Sequence, residues 1–320
     1  MSPSSIAAAE PMTLVADEVS RIASLMRYCS MEATRPSRVD AQLLREALPS
    51  GTEIFLSAVP KRPRDEVVLS ARAIRVAGLE PVPHLAARGF EDAQAAAELL
   101  ARLRGEADVT RVLVVGGDIA RPAGEVAAAQ QLIETGVLRQ AGIVRVGIAG
   151  HPDGHPLMSD EELESTLVTK IAAAQSQGHD VEIVTQFCFE PGTLIRWLEW
   201  LRARGVNLPV RVGLAGPTTL MTWLNYARRC GVRASAQALA RSSGLVRHMF
   251  NAVAPDTIIR ALAEASRGER LGQISPHLFS FGGTGPTARW AAGAMHGTLT
   301  LDKEGGFHVE PLAAGSISRS

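Results

Sequence analysis

Five short stretches of this chain carry the residue types that do acid–base or redox-assisting chemistry. Glu32 sits in Ser30-Met31-Glu32-Ala33-Thr34, among apolar neighbours that desolvate a carboxylate. Burial raises a carboxyl pKa, so Glu32 is expected to hold a proton near neutrality and donate it. The alternative is a loop glutamate paired with Arg35. Asp118 closes Val115-Gly116-Gly117-Asp118, where two glycines let a ligand approach the backbone, or where an aspartate caps the next helix. His84 lies alone in Pro83-His84-Leu85, and a lone histidine among apolar residues is more often a hydrogen-bonded structural residue than a catalyst. The segment Gly150-His151-Pro152-Asp153-Gly154-His155-Pro156 offers two histidines four residues apart; its prolines make it a loop, and metal ligation is the minority reading. Gln186, in Thr185-Gln186-Phe187-Cys188-Phe189, gives a neutral amide that suits the hydrogen-bonding edge of a heterocycle or a structural role.

These residues need elements to position them, and the pattern supplies eight. Short β-rich runs at 26–32, 53–59, 80–84, 111–116, 143–149, 181–187, 209–214 and 277–281 read as strands. The most apolar of them, Val112–Val115 and Val144–Ile148, fit parallel strands covered on both faces. Between them, 39–48, 65–78, 91–103, 123–141, 160–177, 192–205 and 217–230 carry helical spacing. Ser159 ahead of Asp160-Glu161-Glu162 reads as an N-cap with carboxylates at the positive end of a dipole. Alternation of this kind builds a doubly wound sheet or a (β/α)8 TIM barrel. No Gly-rich phosphate loop follows the first strand, which favours the barrel. In a barrel the chemistry collects at the C-terminal strand ends, where all five stretches fall. The organisation expected is an N-terminal helical extension over 1–25, a barrel over 26–296 with added helices at 234–250 and 255–267 before the last strand, and a C-terminal hairpin and tail over 297–320.

Composition narrows the function classes. The 320 residues carry 33 basic and 33 acidic side chains, so a nucleic-acid binder working through phosphate contacts is excluded by the missing basic excess. Hydrophobic residues at 46% exclude a disordered chain, and no apolar run reaches the roughly 20 residues of a membrane helix. Residues 1–24 lack a signal-peptide pattern, and Cys29, Cys188 and Cys230 form no CxxC pair; the chain reads as cytoplasmic with reduced thiols.

Taken in order, Ser30-Met31-Glu32 with Pro36, Pro83-His84-Leu85, Gly117-Asp118, Gly147 through Pro156 and Thr185 through Phe189 resemble the methylenetetrahydrofolate reductase family. The resemblance covers roughly residues 28–190 and continues more weakly to about 295. It implies a barrel that holds FAD at the strand ends and reduces 5,10-methylenetetrahydrofolate to 5-methyltetrahydrofolate with NAD(P)H, or runs the reverse oxidation. It implies catalytic roles for Glu32, the acid that opens the folate ring, and Asp118, beside flavin and pterin. It places Val59, His84, Gly116, Gly117, Asp118, His151, His155 and Lys170 at the cofactor, and Glu32, Asp118, Gln186 and Leu220 at the folate. A homo-oligomer and a tetrahydrofolate partner follow from the same likeness, with no nucleic acid, membrane or metal. The chain departs from the pattern too. Gly116 stands where an arginine is common, Val59 where threonine is, Leu220 where a phenylalanine packs on substrate, and Lys170 is the one clear cation left on the phosphate helix. Three other readings follow from the same residues: a flavin-free folate reductase on this barrel, a metal-dependent hydrolase using His84, Asp118, His151, Asp153 and His155, and a folate or flavin binder without turnover.

Overall fold

The computed structural model describes residues 10–229 and 252–310. Eight parallel strands close on themselves: β1 (Ser30–Ala33), β2 (Glu53–Leu56), β3 (Glu80–Ala86), β4 (Arg111–Val115), β5 (Arg145–Gly150), β6 (Asp180–Thr185), β7 (Val210–Ala215) and β8 (Ile274–Phe279). They neighbour one another in chain order, and β8 pairs with β1, giving the (β/α)8 barrel. Side chains alternate in and out along each strand. Met31, Ile54, Val112, Val146 and Leu278 point outward into the main core, while Phe55, Val82, Leu113 and Val184 fill the interior as a separate cluster.

Around the strands lie α1 (Glu10–Met26), α2 (Arg38–Ala47), α3 (Arg64–Val76), α4 (Ala93–Ala107), α5 (Ala129–Glu134), α6 (Val137–Gln140), α7 (Asp160–Ser176), α8 (Pro191–Ala203), α9 (Leu220–Arg229), α10 (Asp256–Ala265) and α11 (Thr284–Met295). Ser159 does cap α7: the Glu162 amide donates to its Oγ at 3.2 Å, and the Ser159 amide donates back to Glu162 Oε2 at 2.7 Å. Strands β9 (Leu299–Leu301) and β10 (Phe307–Val309) form the antiparallel C-terminal hairpin. Among the described residues no helix is long and apolar enough to cross a membrane.

Three sequence expectations need correction. The first strand begins at Ser30 rather than 26, because α1 runs through Met26 and a turn follows. The helix read over 123–141 is a loop followed by the short α5 and α6. Gly124 packs so closely that a Cβ there would lie 1.7 Å from the Glu91 carbonyl oxygen, and Gly136 takes a φ of 77° that breaks the helix between them. Arg88 also pins this loop, donating to the carbonyls of Ala127 (2.9 Å) and Ile119 (3.3 Å). The helix read over 217–230 starts at Leu220, since Thr218–Thr219 pairs as a short strand with Ala252–Val253. The helix read over 234–250 lies outside the described residues.

At the N-terminal end, charges plug the barrel. Glu53, with 7% exposure, accepts from Arg111 and forms an ion pair with Arg211, and Arg145 approaches the same carboxylate at 3.7 Å. Arg211 Nε also donates to Glu182 Oε2 at 2.9 Å, and its guanidinium lies 5.6 Å over the Phe55 ring.

Candidate active site

The opposite end is built around Glu32. Register places it beside Phe55 on β2 and Phe279 on β8. Alternation turns it into the lumen, as it does His84 on β3 and His277 on β8. The two imidazoles converge on one oxygen: His84 Nε2 and His277 Nε2 each lie 3.7 Å from Glu32 Oε2. Both nitrogens are buried without a hydrogen-bond partner. The other carboxylate oxygen, Oε1, accepts from Ser57 Oγ at 2.6 Å, and Ser30 Oγ meets His277 Nδ1 at 2.9 Å. Phe55 packs its edge or face against both rings, at 4.6 Å from His277 and 6.1 Å from His84. Ser280 Oγ donates to the Glu32 carbonyl at 2.5 Å and ties the loop after β8 to β1.

The electrostatics overturn one expectation. Burial does push the Glu32 carboxyl upward, but the attraction of His84, the contacts with His277 and the Ser57 hydrogen bond together outweigh it. The carboxyl is held below its ordinary range, so Glu32 rests ionised rather than as a stored acid. Burial pushes His84 and His277 downward, against the upward pull of the carboxylate. Nor is Glu32 a partner of Arg35, whose guanidinium pairs with Glu66 at 3.2 Å. His84 is no hydrogen-bonded structural histidine at Nε2 either, since that atom's near neighbour is Glu32 Oε2.

The other residues singled out from sequence spread along the rim. Asp118 is exposed in the loop after β4 and caps no helix; the position before α5 is Ala128. Gly116 has open space where a Cβ would be, and Gly117 adopts a φ of 95° against the Ala86 methyl. Val59 is half-buried in the loop after β2. Gln186 is half-buried at the end of β6, with its Oε1 accepting from the Phe187 amide at 3.1 Å and its own amide donating to Gly150 O at 2.9 Å.

His151 and His155 meet edge to face at 5.4 Å in the loop after β5. His151 lines a cleft of about 350 Å³ between α7 and α8, with Trp197, Trp200 and Arg196 on its far wall. Burial, helped by Lys170 and His155, pushes the His151 imidazole down to about 4. Lys170 is buried, donates to Ala149 O at 3.2 Å, and is pushed down by burial to about 8. Among the described residues no group of three or more His, Cys, Asp or Glu side chains is arranged to hold a metal ion, so the five hydrolase candidates do not form one site.

Leu220 is buried at 2% exposure, so it presents no face to a substrate. The rings come from elsewhere. Phe187, Phe279 and Phe281 stack edge to face at 5.0–5.3 Å around Phe187, and Tyr226 lies flat on Phe281 at 3.9 Å. Trp223 joins through Phe189 at 5.1 Å, with its Nε1 donating to Gly216 O at 2.9 Å. His277, Ser57 and this aromatic wall went unread in the sequence. The alternation His277, Phe279, Phe281 was the available signal, since a period of two puts all three on one face.

A family model described as methylenetetrahydrofolate reductase matches residues 39–244, more than half of the chain. The chain belongs to the methylenetetrahydrofolate reductase family. The matched span starts after β1 and ends before β8, so Glu32 and His277 enter the site through geometry. Methylenetetrahydrofolate reductase 1 of Schizosaccharomyces pombe is 27% identical over 84 residues, which is 26% of this chain and 13% of the yeast protein. A solved structure described as a candidate phosphonomutase from Burkholderia cenocepacia J2315 aligns over 82% of this chain and 92% of its own, with 14% identity and a TM-score of 0.48. The yeast match therefore spans only a small part of that curated relative, and the family assignment rests on the family model over residues 39–244.

Proposed function

We propose that this enzyme interconverts 5,10-methylenetetrahydrofolate and 5-methyltetrahydrofolate with NAD(P)H as the hydride source, at the mouth around Glu32. The observation that carries the reading is the buried carboxylate held by two imidazoles beside a wall of rings. In the reducing direction the bond between the methylene carbon and N10 breaks, N10 gains a proton, and the methylene carbon gains a hydride. Opening the ring leaves positive charge on the methylene carbon and N5. An ionised Glu32 stabilises that charge in a site shielded from water. His84 and His277 hold its Oε2 in place, and Ser30 orients the His277 ring. The half-buried rings of the aromatic cluster, Phe279, Phe281 and Tyr226, offer surface to the pterin and the benzoyl ring, and Gln186 and Asp118 offer polar partners for the pterin edge.

FAD is the cofactor that the family implies. The open backbone at Gly116, with His84 and Val59 near the same strand ends, leaves room for a flat ring; bound there, FAD would supply the hydride relay between the two substrates. The diphosphate end fits less well, because Lys170 is turned inward to Ala149 O. That inward lysine favours a second reading, in which nicotinamide passes its hydride straight to the folate on the same barrel.

An absorption spectrum of the purified protein, with and without NADH and methylenetetrahydrofolate, tests both. A flavin band bleached by NADH and restored by methylenetetrahydrofolate supports the first. A colourless protein that oxidises NADH with methylenetetrahydrofolate supports the second. Absence of folate-dependent turnover with FAD added overturns both.

A further inference from the structure

Glu32 spends its two oxygens differently. Oε2 faces the two imidazoles, whereas Oε1 is held by Ser57 Oγ at 2.6 Å. Ser57 Oγ in turn lies 3.1 Å from Thr34 Oγ1, and Thr34 is exposed on the rim. A continuous row of hydroxyls therefore gives the carboxylate, whose side chain is itself 16% exposed, a second way to solvent along the rim. His277 has no exposure, so it offers no such route.

The row is held in place by the backbone. The Ser57 amide donates to Ala33 O at 3.3 Å, which sets the ends of β1 and β2 side by side. Beyond Thr34, Arg35 adopts a φ of 49°, a left-handed conformation that disfavours a non-glycine residue. Its guanidinium clips to Glu66, which Arg62 also approaches at 3.9 Å. The strained turn aims Thr34 at Ser57.

We propose that Thr34 and Ser57 form a proton relay that carries protons between solvent and Glu32, a role that rests on the folate reading above. Reduction delivers one proton to N10 in every turnover, and substrate in the mouth covers the direct way in. In the relay a solvent proton joins Thr34 Oγ1, the Thr34 hydroxyl proton passes to Ser57 Oγ, and the Ser57 proton passes to Glu32 Oε1. Each hydroxyl ends with one proton, the carboxylate becomes a carboxylic acid, and rotation of the two hydroxyls resets the row. Glu32 then gives the proton to N10 and returns to its ionised form. Oxidation of methyltetrahydrofolate runs the same path outward.

The test uses two substitutions that preserve shape to different degrees. Thr34→Val keeps the volume and removes the hydroxyl; Thr34→Ser keeps the hydroxyl and removes a methyl. Thr34→Val is expected to slow folate turnover roughly ten-fold, within the range that proton transfer contributes, and to enlarge the slowing caused by D2O. Thr34→Ser is expected to restore both. A Thr34→Val enzyme as fast as wild type overturns the relay, as does equal slowing by both substitutions, which would mean that Thr34 only fills space.

The same assay separates the relay from the folate reading. Wild-type protein without folate turnover overturns the proposed function and the relay with it, whereas an active wild type matched in rate and D2O effect by Thr34→Val overturns the relay alone.

Discussion

The two ends of this barrel bury carboxylates in opposite ways. At the N-terminal end, Glu53 and Glu182 are met by the guanidinium groups of Arg111, Arg145 and Arg211, each with several rigid donors aimed at an oxygen. At the C-terminal end, Glu32 has one short hydrogen bond and two imidazoles that stand 3.7 Å off with their Nε2 atoms unpartnered. Charges that satisfy one another hold a structure and leave nothing for a substrate. A carboxylate that keeps an oxygen facing two imidazoles without a hydrogen bond can still change its partners. The contrast also follows the barrel rule that the N-terminal face carries stability and the C-terminal face chemistry.

The comparison breaks most sharply at Glu32. Glu32→Gln keeps the shape and removes the charge, and is expected to lower folate turnover by about 10²–10⁴-fold while leaving thermal stability nearly unchanged. A large drop in Tm with modest loss of turnover would put Glu32 among the structural charges instead. The mirror experiment is Arg211→Met, which strands buried Glu182 and takes one of three guanidinium partners from Glu53. It is expected to destabilise by about 3–5 kcal/mol, read by urea unfolding, with KM for folate little altered in the fraction that stays folded.

Smaller effects sharpen the border between the ends. His151 is pushed down from 6.5 to about 4, so between those values the unfolded chain binds the extra proton and the folded one does not. Stability is therefore expected to fall as pH drops from about 6.5 to 4, by up to about 3 kcal/mol. His151→Gln should flatten that part of a pH series of unfolding curves; an unflattened series would show that the imidazole is solvated. The smallest effect belongs to Lys170. Lys170→Met removes a buried ammonium with one backbone acceptor and is expected to leave Tm unchanged or slightly raised, with flavin retention unaltered. Loss of flavin on that substitution would return the lysine to the diphosphate.

The barrel was legible because short, wholly apolar runs such as Val112–Val115 alternate with helical segments, the pattern of parallel strands covered on both faces. Glu32 and His84 were legible for the same reason, as polar residues at strand ends. Their partnership was not, since β1, β3 and β8 meet only once the sheet closes. A lone serine such as Ser57 carries no local signal that its hydroxyl will reach a carboxylate 25 positions earlier. The direction of the Glu32 shift was missed because desolvation is visible in apolar neighbours, whereas His277 lies 245 positions away. The 123–141 segment misled through its alanines; a close backbone contact at Gly124 overrode helix propensity.

Trp223 has an optical consequence. The chain has four tryptophans, and Trp197, Trp200 and Trp290 lie on helices outside the barrel, packed on the main core. Trp223 instead sits in the ring cluster with Phe189, Phe281 and Tyr226 close by. Its emission should therefore report occupancy of the mouth, dimming when an absorbing ring settles beside that cluster, whereas Trp197 and Trp200 report the cleft lined by His151. Trp223→Phe would remove the mouth's part of the signal and leave that of the other three indoles. The enzyme thus carries its own binding gauge, readable without label or turnover.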